Sequence, residues 1–185
     1  MSKNISQLSD AERAQLFPII LQKHNPVWSE WYEKERENLL SSVEGIADIH
    51  HYGSTAIPGI LAKPTIDILI EVEKSADLEN LKNSIIKVGY NFMSYGKEPS
   101  MMFVKGYTVN GFAEKVFHIH VYYVGVQHEL LFRDYLIAHP ETAHEYESMK
   151  IQLKEKYEFN RDAYTEAKSI FINSIVKRAL SEKLY

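Results

Sequence analysis

The chain has 185 residues, and its 21 Lys and Arg against 25 Asp and Glu leave a formal net charge of −4. That length suits one domain, and it buries enough surface to fold without disulfide or metal staples. The mild acidity argues against a protein that coats nucleic acid, which needs a net basic footprint. With no cysteine at all, a disulfide framework, a thiol nucleophile and a Cys-ligated zinc site are excluded. The opening residues hold no apolar segment of the kind that targets a chain for export, and no apolar run approaches the ~20 residues that span a bilayer. A cytoplasmic protein that does not engage a membrane is the expectation.

In chain order, residues 1–16 read as a polar N-terminal extension, with Ser9-Asp10-Ala11-Glu12 able to start a short helix. Residues 17–21 read as a short strand, confined to an edge by Pro18. Asn25-Pro26 opens a helix, with Asn25 as cap and Pro26 in the first turn; Trp28, Trp31, Tyr32, Leu39 and Val43 follow at near-helical spacing. Residues 46–52 form a strand that runs into Gly53-Ser54-Thr55. Residues 65–72 alternate most clearly of all: Ile66, Ile68, Ile70 and Val72 share one face, and Thr65, Asp67, Leu69 and Glu71 the other. An amphipathic helix over 76–88 ends at Gly89. Strands at 101–108 and 115–124 are joined by a turn around Asn110-Gly111. In the second of them His118, His120 and Tyr122 lie opposite Phe117, Ile119, Val121 and Tyr123. From about residue 128 the pattern is helical, with Pro140 starting one helix and Asn160 or Asp162 capping another. Sheet early and helices late define an α+β domain (an α/β mixed sheet flanked by helices), spanning 17–182 with a helical C-terminal part.

Three constellations carry chemistry. Gly53 and Ser54, with Thr55, stand at a strand end where backbone N–H groups and hydroxyls can cradle phosphate, and Asp67 on the next strand can hold Mg²⁺ against it. Asp67 lies opposite a wholly apolar face, so it is either bound into a cleft or part of a solvated face with Thr65 and Glu71. His118 and His120 share a sheet face and can ligate a metal, with Asp67 or Glu71 as third ligand, or pair by hydrogen bonds. Lys63, Arg133, Lys150 and Lys168 can converge on phosphates or form helix-surface ion pairs.

The run from His51 to Gly59, then Lys63-Pro64-Thr65-Ile66-Asp67-Ile68, resembles the signature of the GrpB family. His118-Ile119-His120-Val121, residues 132–136, His139-Pro140, Tyr146-Glu147 with Lys150, and Tyr164 with Lys168 extend the resemblance over nearly the whole chain. The same domain occurs fused to some bacterial dephospho-CoA kinases. The family is similar to the nucleotidyltransferase superfamily, which implies Gly53 and Ser54 at a triphosphate and Asp67 at metal ions.

The position two after Asp67 is Leu69, not a second acid; Glu71 is one pair further along, and a histidine occupies the neighbouring strand where a third carboxylate belongs. The resemblance therefore implies a nucleotidyltransferase-like protein that takes a nucleoside triphosphate with Mg²⁺ or Mn²⁺. Asp67, Glu71 and His120 are its candidate catalytic residues, and Asp67, His118 and His120 its metal candidates. Gly53, Ser54, Thr55, Lys63, Arg133, Lys150 and Lys168 are its phosphate contacts. Two alternatives stand beside it: a non-catalytic module that binds a nucleotide, a CoA-like ligand or a protein partner, and a His/Asp metal-site hydrolase.

Overall fold

The computed structural model describes residues 8–95 and 101–182. Residues 1–7 of the N-terminal extension lie outside it. Five strands form one mixed sheet: β1 (Asp48–Tyr52), β2 (Ile66–Val72), β3 (Asn91–Tyr95), β4 (Met101–Thr108) and β5 (Gly111–Tyr123), in the order β1-β2-β5-β4-β3. Only β2 and β5 run parallel; the other neighbours are antiparallel. Parallel pairing requires a long crossover, and here the crossover contains helix α3 (Leu78–Lys87) and the β3–β4 hairpin.

One sheet face is the core. Ile66, Ile68, Ile70, Phe117, Ile119, Val121 and Phe103 pack there against Trp28, Tyr32 and Leu39 of helix α2 (Val27–Ser42) and against Leu81 and Ile85 of α3. Pro26 stands at the cap position of α2, one residue later than the sequence predicts, and the Oδ1 of Asn25 accepts from the Val27 N–H at 3.1 Å. The Tyr32 hydroxyl donates to the Ile49 carbonyl at 3.0 Å, which fixes α2 against β1.

The second core is helical. After α1 (Asp10–Leu16), whose Ser9–Glu12 capping box agrees with the predicted start, the remaining helices are α4 (His128–Ala138), α5 (Pro140–Tyr157), α6 (Arg161–Ala167) and α7 (Ser169–Glu182). Leu131, Phe132 and Leu136 pack with Tyr146, Ile175 and Val176, and with Ile57 and Ile60 of the loop after β1. That loop is thus anchored in the helical layer while its ends belong to the sheet.

Two expectations change. Residues 17–21 are not a strand: the chain there is held by single bonds, Ile19 N–H to the Glu158 carbonyl and Gln22 in an isolated bridge with Ala62. Pro18 has no N–H to give a ladder, yet Phe17 and Ile19 are buried, so the apolar alternation is real and the pairing is not. The second difference is β3, an edge strand for which the alternation gives little sign, since Met93 is exposed.

Candidate functional site

The register places three polar rows on the sheet face opposite the core. The first is Tyr52, Asp67 and His118; the second is His50, Leu69 and His120; the third is Asp48, Glu71 and Tyr122. The cleft lies at the first row, where β1 ends in Gly53.

Gly53 has φ +71°, and a Cβ on it would come within 2.9 Å of the Asp67 Cγ. Glycine is required twice over, for the left-handed backbone and for the approach of the strand-end turn to the carboxylate. A short 3₁₀ turn (Ser54–Ala56) follows. Asp67 keeps about a quarter of its side chain exposed, so it is neither a surface residue nor sealed.

Asp67 begins a chain of contacts. Its Oδ1 lies 3.4 Å from His118 Nδ1; His118 Nε2 lies 2.8 Å from the Tyr107 hydroxyl; and Arg161 Nη2 donates to that hydroxyl at 2.9 Å. Because the hydroxyl accepts from Arg161, its own proton can go to Nε2. The Nδ1 proton then faces Asp67. Burial works to raise the Asp67 pKa, but the hydrogen bond from His118, with the charge of the neighbouring Lys63 behind it, outweighs burial and holds the carboxyl below its ordinary value. His118 is buried with both ring nitrogens engaged. His120 differs: its ring meets Tyr52 edge-on and Tyr122 by stacking, and burial keeps its pKa below the ordinary histidine value.

Cations face this carboxylate from the helical layer and the β2 approach. The Lys63 and Lys168 ammonium groups lie over the Tyr164 ring, 6.0 and 4.6 Å from its centroid. Among the described residues neither has a hydrogen bond or a carboxylate within bonding distance. Burial, then repulsion from Arg161 and Lys168, lowers the Lys63 pKa to about 7. Lys168 is lowered by burial and by Arg161, against the opposing pull of Asp67. Lys63 and Lys168 therefore act on one carboxylate that is already partnered by His118, and Arg161, bonded to Tyr107, adds its positive charge beside them.

The other predicted residues have different neighbours. Lys150 is 1% exposed; its Nζ contacts Ser54 Oγ at 3.1 Å and the Leu61 carbonyl, while Glu147 accepts from the Leu61 N–H. Residues 147 and 150 of α5 thus clamp Leu61 by its N–H and its carbonyl, one on each of the two peptide units that flank it. Thr55 is buried, donating to the Thr65 carbonyl and bonding His51 Nε2, both at 3.0 Å. Arg133 donates to the His51 carbonyl at 2.7 Å and pairs with Asp134. Glu71 lies four residues along the strand from Asp67, about 13 Å away at ~3.3 Å per residue. It bonds His50, the Gly125 N–H and Gln127. Tyr107 and Arg161 went unremarked in the sequence, because nothing local marks a tyrosine in a strand or an arginine in a first helical turn.

Fold and site together define a mixed α+β domain with a nucleotidyltransferase-like layout, a Gly-Ser strand end facing an in-strand aspartate. Residues 18–178 match the family described as GrpB protein, and the chain belongs to that family. It is similar to the glutamate-rich protein GrpB of Alkalihalophilus pseudofirmus (38% identity, covering 85% of this chain and 94% of that one). The UPF0157 protein YqkA of Bacillus subtilis is 35% identical, and the match spans 46% of its length. A dephospho-CoA kinase of Mycolicibacterium paratuberculosis is 28% identical over 71% of this chain and 38% of its own. The crystal structure of the conserved protein GrpB from Enterococcus faecalis superposes with a TM-score of 0.78 at 29% identity, covering 90% of this chain and all of that one. No helix among the described residues is long and apolar enough to cross a membrane.

Proposed function

We propose that the cleft binds a phosphorylated small molecule of the nucleoside triphosphate class, seated between Ser54, Asp67 and the cations Lys63, Lys168 and Arg161. The observation that carries this reading is the excess of cations: half-buried lysines repel one another, and a polyanion relieves both that repulsion and their desolvation. Asp67 suits one divalent cation, because Mg²⁺ is commonly held by one or two carboxylates plus substrate phosphates. The side chains do not suit a two-ion cage. Leu69 stands fully buried where the second acid belongs, and Glu71 is remote and fully bonded. In this reading Asp67 would hold the ion, which would supply positive charge for the phosphates, and His120 would take a proton from an attacking hydroxyl. A His/Asp hydrolytic metal centre is not carried forward, since both ring nitrogens of His118 are occupied.

A second reading, binding of a CoA-like ligand without metal, is favoured by the similarity to part of a dephospho-CoA kinase. One experiment separates the two: calorimetry and thermal shift against nucleoside triphosphates, CoA and dephospho-CoA, each with Mg²⁺, Mn²⁺ or EDTA. A ligand at ~100 times its Kd adds ~2.7 kcal/mol to the folded state. The expected result is a metal-dependent triphosphate shift that Asp67→Asn makes metal-independent. Lys63→Gln combined with Lys168→Gln weakens it by about a hundredfold, on the order of tenfold for each charged hydrogen bond lost. A CoA shift indifferent to EDTA selects the second reading, and no shift with any phosphorylated ligand rejects both.

A further inference from the structure

Ser54 and Lys150 have a relation that phosphate binding leaves unused. Lys150 is shut inside the helical layer, yet its Nζ sits 3.1 Å from Ser54 Oγ, on a side chain that is half-exposed at the mouth of the cleft. Tyr146, one turn earlier on α5, stands close enough to Ser54 to be acted on by it, and its ring lies 4.7 Å from the Lys150 nitrogen. The Leu61 carbonyl accepts an N–H from Lys150. A buried lysine that served only to bind anions would reach the cleft. This one reaches only the serine that stands there.

We propose that Ser54 is an activated nucleophile and Lys150 its general base, a serine–lysine dyad steadied by Tyr146. A neutral amine offers two N–H bonds and one lone pair. Leu61 takes one N–H, and the lone pair is left to accept the Ser54 hydroxyl proton. The groups that face Lys150 set its protonation: burial first, then Lys168 at the α6–α7 junction, lower its pKa to about 7 against the opposing pull of Glu147 on its own helix. At neutral pH and above a large share of the amine is free to act as a base.

The reaction is transfer of a phosphoryl-type group. Ser54 Oγ attacks phosphorus and the Oγ–P bond forms; the bond from phosphorus to the leaving group breaks with its electron pair going to that group. The Oγ proton passes to Lys150 Nζ and from there to the leaving group. The substrate class rests on the phosphorylated-ligand reading given above, whereas the dyad does not.

The test uses the whole chain and a biotin-tagged alkyl fluorophosphonate, whose P–F bond an activated serine displaces, followed by mass-spectrometric mapping of the labelled peptide. The expected result is labelling at Ser54, absent in Ser54→Ala, with a rate that rises about tenfold from pH 6 to pH 8 as an amine of pKa about 7 loses its proton. Lys150→Arg keeps the donor to Leu61 but is no base at these pH values, and it slows labelling at least ~100-fold. Should that variant not fold, the pH profile of the unmutated chain decides, and a rate without an inflection near pH 7 overturns the dyad. No label on Ser54 at any pH overturns it too, even where calorimetry shows ligand binding. Labelling without phosphorylated-ligand binding leaves the dyad standing and rejects the ligand class.

Discussion

Gly53→Ala is expected to lower the melting temperature by roughly 10 °C and to abolish ligand binding, while Gly59→Ala lowers it by only a few degrees. Both glycines have positive φ, +71° and +82°, a backbone that costs an L-residue about 1–3 kcal/mol. They differ in what a methyl group meets. At Gly59 nothing lies within 4 Å, whereas at Gly53 the Cβ enters the space of the Asp67 carboxylate. Either the strand-end turn moves off β2 or Asp67 leaves His118, and overpacking of that kind adds about 1–3 kcal/mol. With ~2–4 °C per kcal/mol for a chain of this size, the two variants separate clearly in thermal unfolding followed by circular dichroism. Equal shifts would mean that backbone conformation alone explains Gly53, and that the close approach to Asp67 has no energetic weight.

The same pair shows where the sequence is legible and where it stops. Alternation identified β2, its apolar face and the placing of Asp67 on the other face, because the side-chain period holds over seven residues even though Asp67 alone among them is not buried. Gly53-Ser54 was legible as a turn with chemistry. That a histidine stands beside Asp67 was legible only through the family resemblance, and that it is His118 depends on a parallel register between segments some fifty residues apart, because periodicity within a segment says nothing about its neighbour. Residues 17–21 failed for a related reason. Burial of Phe17 and Ile19 imprints the pattern of a strand, but loop packing against Tyr107 and Phe112 satisfies it without a ladder.

Lys150 was legible as a basic residue near phosphate chemistry. Its burial was not, because a lysine inside a helical layer is rare and is made possible here only by the Leu61 carbonyl and the Ser54 hydroxyl. Glu71 was misleading in the opposite sense. It lies on the same face as Asp67, but strand rise carries it to the far end of the sheet, where His50 and Gln127 take its charge.

The free protein is expected to gain stability as pH rises from 7 to 9, and a phosphorylated ligand is expected to flatten that rise. Lys63 and Lys150 both titrate near 7 in the folded chain instead of at the ordinary lysine value. Their folded pKa values are depressed, so between about pH 7 and 10.5 the unfolded chain binds more protons, and stability rises with pH throughout that window. His51, pushed by burial to about 4, acts with the same sign between pH 4 and 6.5. Tyr52 and Tyr146, raised by burial, act with the opposite sign above pH 10, where the unfolded chain ionises first. The optimum therefore falls near pH 10.

One unmatched proton is worth ~1.4 kcal/mol per pH unit, and Lys150, almost without solvent contact, supplies most of that across two units. The rise is about 2 kcal/mol, or roughly 6 °C; Lys63, more exposed, adds less than its shift suggests. Lys150→Met removes most of the slope, since a neutral side chain of similar length has no proton to lose. Anion binding works against the slope in the wild type, because a phosphate beside Lys63 and Lys168 favours their charged forms and draws protons back into the folded state. A melting temperature that is level or falling between pH 7 and 9 without ligand would mean that Lys150 keeps its proton in the folded chain, and a slope that a phosphorylated ligand leaves unchanged would mean that Lys63 and Lys168 do not face it.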